Sequence, residues 1–282
     1  MKFLKFSARR RVTDAVMYAL MSLGLAGVIS ALVFILAYIF ANSAGFLNWG
    51  FISGVERGIL PMIVTTVMVV AVSIAIALPV GISTAVYLNE YSGSSGRVRV
   101  LRLAIDTLAG IPSIIYGLFG LLVFSRMMGF GQSVIAGGLT LSIMALPVII
   151  RTTEESLKSI PASVREGSLA VGATKFQTIV HVVLPPALPG IVTAVILAVG
   201  RMVGESAPVM LTVGIAVGMP RSIFEPGRTL TIHLYQLTAE AIHPDDFNMA
   251  FATASVLVIL VILINTATKI ITFKFRKNAS EQ

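Results

Sequence analysis

The chain has 282 residues, of which 56% are hydrophobic and only 12% charged, with a net charge of +8 and a mean hydropathy of +0.92. Soluble domains carry about 25% charged residues, so most of this chain is expected to sit in lipid. The absence of Cys removes disulfides, thiolate nucleophiles and Cys-ligated metals, and the basic residues fall in short runs between apolar stretches, a topology pattern rather than a nucleic-acid footprint.

Crossing a bilayer takes about 20 apolar residues. Six stretches qualify or come close: Ala15–Ala41, Leu60–Leu88, Leu103–Phe124, Val134–Ile150, Ile191–Val213 and Met249–Ile271. The expected fold is therefore an all-α integral membrane protein with six transmembrane helices. Residues 1–14 form a basic N-terminal segment, 15–273 the transmembrane unit, and 274–282 a frayed tail.

Charge orients the spans. One side holds Lys2, Lys5, Arg9, Arg10, Arg11, then Arg97, Arg99, Arg102, then Arg151, Lys158, Arg165, Lys175, and finally Lys269, Lys274, Arg276 and Lys277. The other holds Arg57, Arg126, Arg221 and Arg228, a count of sixteen against four. Positive residues stay in the cytoplasm, so both termini are expected inside. His181, His233 and His243 lack the i, i+4 spacing of a helical metal site, and no metal or cofactor is expected.

Two connections are too long to be simple turns: residues 152–190 on the cytoplasmic side, and Gly214–Asn248 outside, with Pro220, Pro226 and Pro244. In the first, Ser163 reads as the N-cap of a short helix, with Glu166 completing a capping box. Gly172 reads as its C′ stop. A second amphipathic stretch, Thr174–Val183, is expected to break at Leu184-Pro185-Pro186. The apolar surface of these two helices lies outside lipid and needs a partner. No P-loop is present: Ala173-Thr174 follow Gly172 where Lys-Ser/Thr would be required.

Glu166-Gly167-Ser168, three residues, Gly172, nine residues, then Val182-x-Leu184-Pro185 resembles the EAA loop of ABC importer permeases, Glu-Ala-Ala…Gly…Ile-x-Leu-Pro. Every spacing matches, while Gly167, Ser168 and Val182 differ in identity. Ala85–Tyr91, Gly110–Gly120, Arg151–Glu155 and Gly200–Pro208 are similar to the phosphate-specific permeases, the PstA type more than the PstC type. The resemblance implies a MetI-like fold over about residues 60–272, with residues 152–190 carrying a coupling helix between the fourth and fifth spans. It implies ATPase coupling through Ser163, Glu166, Gly167, Ser168, Gly172, Leu184 and Pro185. Its implied partners are a PstC-type second permease, a PstB-type ATPase dimer and an extracytoplasmic phosphate-binding protein, in a bacterial or archaeal plasma membrane.

Arg201 falls deep in the fifth span, where an unpaired Arg costs about 2.5–3.5 kcal/mol or more. Glu205, one helical turn on, is expected on the same face as its ion-pair partner. The pair reads either as a lock between helices or as a site on an anion path, because a guanidinium holds two phosphate oxygens at once. Arg151, at the inner end of span four, is an ordinary anchor on residue grounds, and the resemblance makes it an inner-mouth contact. Gly110, Pro112, Gly117 and Gly120 permit a kink in span three. Two rival functions remain: an ion-coupled secondary transporter, which would place its sites at paired broken helices, and an ABC permease for another small anion such as sulfate or molybdate. No catalytic constellation is apparent, and ATP hydrolysis is assigned to a partner chain.

Overall fold

The computed structural model describes residues 2–54, 58–92, 96–241 and 245–280, and the side chains of these except 2–9, 97 and 271–280. Arg57, His243 and Pro244 lie outside the described residues, as do the side chains of Lys2, Lys5, Arg9, Arg97, Lys274, Arg276 and Lys277. In chain order the helices are α1 (Lys2–Ser43), α2 (Trp49–Ser53), α3 (Leu60–Val86), α4 (Gly96–Ala109), α5 (Ser113–Gly120) and α6 (Val134–Lys158). They continue as α7 (Ala162–Ala170), α8 (Lys175–Gln177), α9 (Leu184–Gly204), α10 (Ala207–Thr212), α11 (Leu230–Ala239) and α12 (Asp246–Ser280). π segments extend α3 through Tyr87–Tyr91 and α5 through Leu121–Met127, and join α8 to α9 through Thr178–Val183.

Five helices among the described residues are long and apolar enough to cross a membrane, and a sixth span arises if one bent pair counts as a single crossing. That pair is Val98–Ala109 with Ser113–Met127, bent by 101°. The expected straight span Leu103–Phe124 is therefore corrected to two pieces. Pro112 lacks an N–H and biases Ile111 away from helical backbone, and the amide of Ile111 turns back to Leu108 O at 3.2 Å. The Tyr116 hydroxyl, from beyond the break, also donates to Leu108 O at 2.7 Å. One buried phenol thus links the two pieces across the corner.

The fifth span departs from expectation at both ends. Pro185 and Pro186 do not break the chain: residues Lys175–Gly204 form one continuous helical rod. They sit in the first turn of α9, where no intrahelical donor is needed. The wider π turns before them accept the Leu184 amide at Ile179 O, so the rings enter without severing the rod. At the far end the helix stops at Gly204, Glu205 is extended (φ −77°, ψ 130°), and α10 restarts the span. Ile191–Val213 is thus interrupted at Glu205-Ser206. The segment Lys274–Gln282, expected to fray, is helical as far as Ser280.

α6 is the axis of the bundle. Two-thirds (67%) of its apolar stretch is buried, against 0% for α1. Val69, Val70 and Ala77 of α3, Leu141, Met144, Ala145 and Ile149 of α6, and Ala198, Val199, Met202 and Val203 of α9 form one buried cluster. Lipid is as apolar as these side chains, so shape fit and dispersion hold the cluster rather than exclusion of water. α5 meets α10 backbone to backbone: a Cβ on Gly117 would stand 2.7 Å from the Cα of Pro208. Backbone cannot rotate away as a side chain can. Gly117→Ala should therefore lower stability by about 1–3 kcal/mol, read as a lower unfolding temperature of the purified protein in detergent. An unchanged midpoint would mean that α10 is free to shift.

Candidate functional site

Three places hold the polar residues that the sequence singles out. The first is α7, at the end of the bundle where the C-terminal ends of α3 and α6 meet. α7 starts after Pro161 at Ala162 and has no side-chain cap, so Ser163 lies inside its first turn and the capping box with Glu166 does not form. Pro161, with φ −57° and ψ 141°, takes the N-cap position itself and has no side chain that could accept an amide. The capping box in this region belongs instead to Thr174 and Gln177, at the start of α8.

Gly172 does terminate α7, at φ +91°. Its amide bonds Leu169 O at 3.0 Å, and the Ala173 amide bonds Ser168 O at 3.3 Å. These paired bonds are those of a left-handed glycine cap. Ser163, Glu166 and Gly167 are exposed, and Ser168 is half-buried with its hydroxyl 2.9 Å from that of Thr178. Leu184 and Pro185 are half-buried where the rod enters the bundle. No side chain of α7 is fully buried. Val164, Leu169, Val171 and Phe176 instead present apolar surface, with Val171 85% exposed.

Sequence reading missed what holds α7 in place. Arg165 Nε donates to Glu90 Oε1 at 3.0 Å and Oε2 at 3.2 Å, and one terminal nitrogen reaches Oε1 at 2.9 Å. The guanidinium also donates to Ile160 O at 2.7 Å and Leu157 O at 2.8 Å. Both side chains are largely withdrawn from solvent, at 20% and 8% exposure. Arg165 counted only as a topological charge, and nothing in the spacing of residues 90 and 165 pairs them.

The second place is a cleft of about 210 Å³ between α4 and α6, lined by Arg102, Asp106, Arg151, Glu154, Glu155 and Lys158. Arg151 is ion-paired with Asp106, and both are half exposed. Glu154 is buried, with Arg102 and Lys158 each 2.7 Å from one of its oxygens. Arg151 is therefore one member of a mixed-charge patch, rather than a lone anchor.

The third place is the interruption of the fifth span. Arg201 Nε lies 3.6 Å from Glu205 Oε1, an ion pair longer than a hydrogen bond. Glu205 has left the helix, so the pair bridges the end of α9 and the break instead of sharing a helical face. Pro186, Pro189, Thr193, Leu197, Arg201 and Gly204 are the exposed residues of α9 and follow one side of it. The opposite side carries Met202 and Val203, clustered with Met144 and Ala145 halfway along α6, which puts Arg201 deep in the span. A cleft of about 170 Å³ opens beside the break, lined by Ser206, Ala207, Met210, Ile232 and Tyr235. Gly204, Ser206 and Pro208 together are a helix stop followed by a helix start, and that signal in the sequence marks the interruption.

The connection after α10 folds back against the bundle. The Leu230 amide bonds Thr66 Oγ1 at 3.0 Å, and the Thr231 hydroxyl bonds Glu205 O at 3.0 Å. Arg228 donates to Ile215 O at 2.9 and 3.1 Å and approaches His233 Nδ1 at 3.5 Å. Burial and the Arg228 charge hold the His233 pKa down at about 4, so this histidine is neutral near pH 7. Glu225 turns its carboxylate onto the Arg221 amide at 2.8 Å, and its carbonyl accepts the Val134 amide at the start of α6.

Gly172 gives the most direct test of the α7 geometry. A β-branched residue at φ +91° is strained by about 1–2 kcal/mol. Gly172→Val should raise hydrogen exchange at amides 169–173 while leaving membrane abundance unchanged. Unaltered exchange would mean that the left-handed cap is dispensable.

Residues 77–277 match the family described as binding-protein-dependent transport system inner membrane component. A Bacillus subtilis protein named probable ABC transporter permease protein YqgI is 31% identical over 279 residues, covering 92% of this chain and 95% of the relative. The phosphate transport system permease protein PstA of Mycobacterium leprae is 41% identical over 196 residues, covering 69% of this chain and 64% of its own length. Mycobacterium tuberculosis PstA 1 is 37% identical over 228 residues, covering 77% and 74%. Among solved structures, the inward-facing MetNI methionine ABC transporter aligns with a TM-score of 0.60 at 28% identity, over 78% of this chain and 95% of that one. A bacterial ABC transporter that imports alginate shares the fold at a TM-score of 0.67 and 15% identity, over 93% and 96%. This chain belongs to the inner-membrane components of binding-protein-dependent transport systems, the permease subunits of ABC importers.

Proposed function

We propose that the chain is half of the translocation unit of an ATP-driven importer for inorganic phosphate, paired with a PstC-type permease. A PstB-type ATPase dimer docks on α7 from the cytoplasm, where both termini lie, and a phosphate-binding protein delivers the anion from outside. The observation that carries the coupling role is α7 itself. A nine-residue helix with no fully buried side chain keeps a defined glycine cap, a defined anchor and exposed apolar residues. Such a surface fits a groove on a partner. Glu166 and Ser163, exposed on α7, are then contacts or neighbours of that groove, and Gly172, Leu184 and Pro185 set its angle to the rod. Residues 214–248 contribute to the docking surface for the binding protein.

Phosphate as the cargo is supported by the names of the mycobacterial relatives and by the chemistry of Arg201. The anion passes along the open side of α9, and Arg201 exchanges Glu205 for phosphate oxygens and back again. The length of the ion pair supports a loosely held partner. Arg151, half exposed against Asp106, serves as a contact at the inner mouth. Broken helices also occur in ion-coupled carriers, but membership of the binding-protein-dependent family favours ATP as the energy source. The reading is tested in vesicles holding both permeases and the ATPase. Uptake of phosphate should require ATP and the binding protein, and should exceed uptake of sulfate. Gradient-driven uptake without ATP would overturn it.

Arg201 is tested by measuring abundance beside uptake. Arg201→Gln should lose most phosphate uptake at near-normal abundance in the membrane. Loss of the protein itself would assign the pair a structural role. Full uptake would take Arg201 off the path.

A further inference from the structure

We infer that Arg165 and Glu90 form a mechanical joint that passes displacement of α7 on to α3; the inference rests on α7 being the helix that docks the ATPase. Besides the short link back to α6 through Ser159, Ile160 and Pro161, two routes lead from α7 into the membrane. One runs through the chain itself, across Gly172, into α8 and the π segment Thr178–Val183, and so into α9. The Ser168–Thr178 hydrogen bond braces that route. The other runs through Arg165 to Glu90, in the π segment that ends α3, 75 residues earlier in the chain. The same guanidinium holds two carbonyls, Leu157 and Ile160, at the end of α6.

Packing cannot supply this connection. α7 has no fully buried residue, so polar ties set its position. A bidentate guanidinium–carboxylate contact is directional and resists both shear and rotation. Solvent screens it weakly, because Glu90 is 8% exposed. As a source of stability such a pair is poor, since an apolar replacement of similar volume often does as well. As a joint it has what apolar contact lacks, a fixed angle between two helix ends. With the joint made, a push on α7 moves α3 and α9 together on either side of the α6 axis. With it broken, the push still reaches α6 and α9 along the chain, but loses its direct tie to α3.

The test uses the full complex in vesicles and reads phosphate transported per ATP hydrolysed. Glu90→Gln and Arg165→Lys should keep most ATPase activity and lower that ratio roughly fivefold or more. Lys retains the charge but not the fork that reaches Glu90 and two carbonyls at once. Hydrolysis and uptake that fall in step, at an unchanged ratio, would make the pair merely structural and overturn the inference. The chain has no Cys of its own, so Glu90→Cys with Arg165→Cys can be bridged selectively by a short bis-maleimide. Bridging should restore the ratio that the unbridged double variant loses. A ratio that stays low after bridging would also overturn the joint. Wild-type uptake that ignores ATP would be a different failure, removing the importer reading and the joint with it.

Discussion

In a bundle bounded by lipid, a helix can stop only where some other group takes the amides and carbonyls it leaves unpaired. Among the described residues, four such helix ends have their partner group in view. At the corner of α4 and α5 it is the Tyr116 hydroxyl on Leu108 O. At the break of the fifth span it is the Thr231 hydroxyl on Glu205 O. At the start of α11 it is Thr66, and at the start of α6 it is the backbone of Ile223 and Glu225 together with the Ser133 side chain. Tyr116 and Ser133 are local, but Thr66, Ile223, Glu225 and Thr231 come from parts of the chain far from the helix ends they serve. The irregular segments are therefore tied to the helices, and the connection after α10 is pinned to the bundle at Thr66 and Glu205.

The same logic sorts the charges. Glu154 and Glu90 are buried carboxylates, and each is met by more than one donor: Arg102 and Lys158 on the first, the fork of Arg165 on the second. Arg201 and Glu205 differ. Their contact is longer, and Arg201 keeps more than a third of its side chain open, at 37%. A deep charge held by one distant partner beside an open cleft is poorly satisfied, and poorly satisfied groups are free to exchange partners. The tight pairs hold geometry at the α7 end of the bundle, while the loose pair sits where the span is cut.

How much of this is readable in the letters depends on range. The all-α class, the apolar stretches and the glycine stop at residue 172 follow from local composition, because hydropathy and φ preference act over a few neighbours. Pro185 and Pro186 mislead, because their effect depends on whether the turn before them is α or π, which the letters do not show. Ser163 misleads because Pro161 takes the N-cap position two residues earlier and draws Ser163 into the first turn. Glu205 was placed on a helical face that ends one residue earlier, although Gly204, Ser206 and Pro208 mark the stop and restart. Arg165 with Glu90, Asp106 with Arg151 and Thr231 with Glu205 are contacts of the fold, and no local pattern carries them.

The π segment between α8 and α9 sets an angular phase as well as a path. A π turn takes in one residue more than an α turn, and each residue advances an α-helix by about 100°. Thr178–Val183 therefore determines which way every side chain beyond Leu184 points. Were the segment to relax to a plain α-helix by losing one residue, the rod would stay continuous and its hydropathy would hardly change. Arg201 would nonetheless swing by more than a quarter turn, from the open side of α9 toward the packed one. The azimuth of Arg201 is thus fixed some thirty ångströms away, lower on the same rod, at about 1.5 Å of rise for each intervening residue.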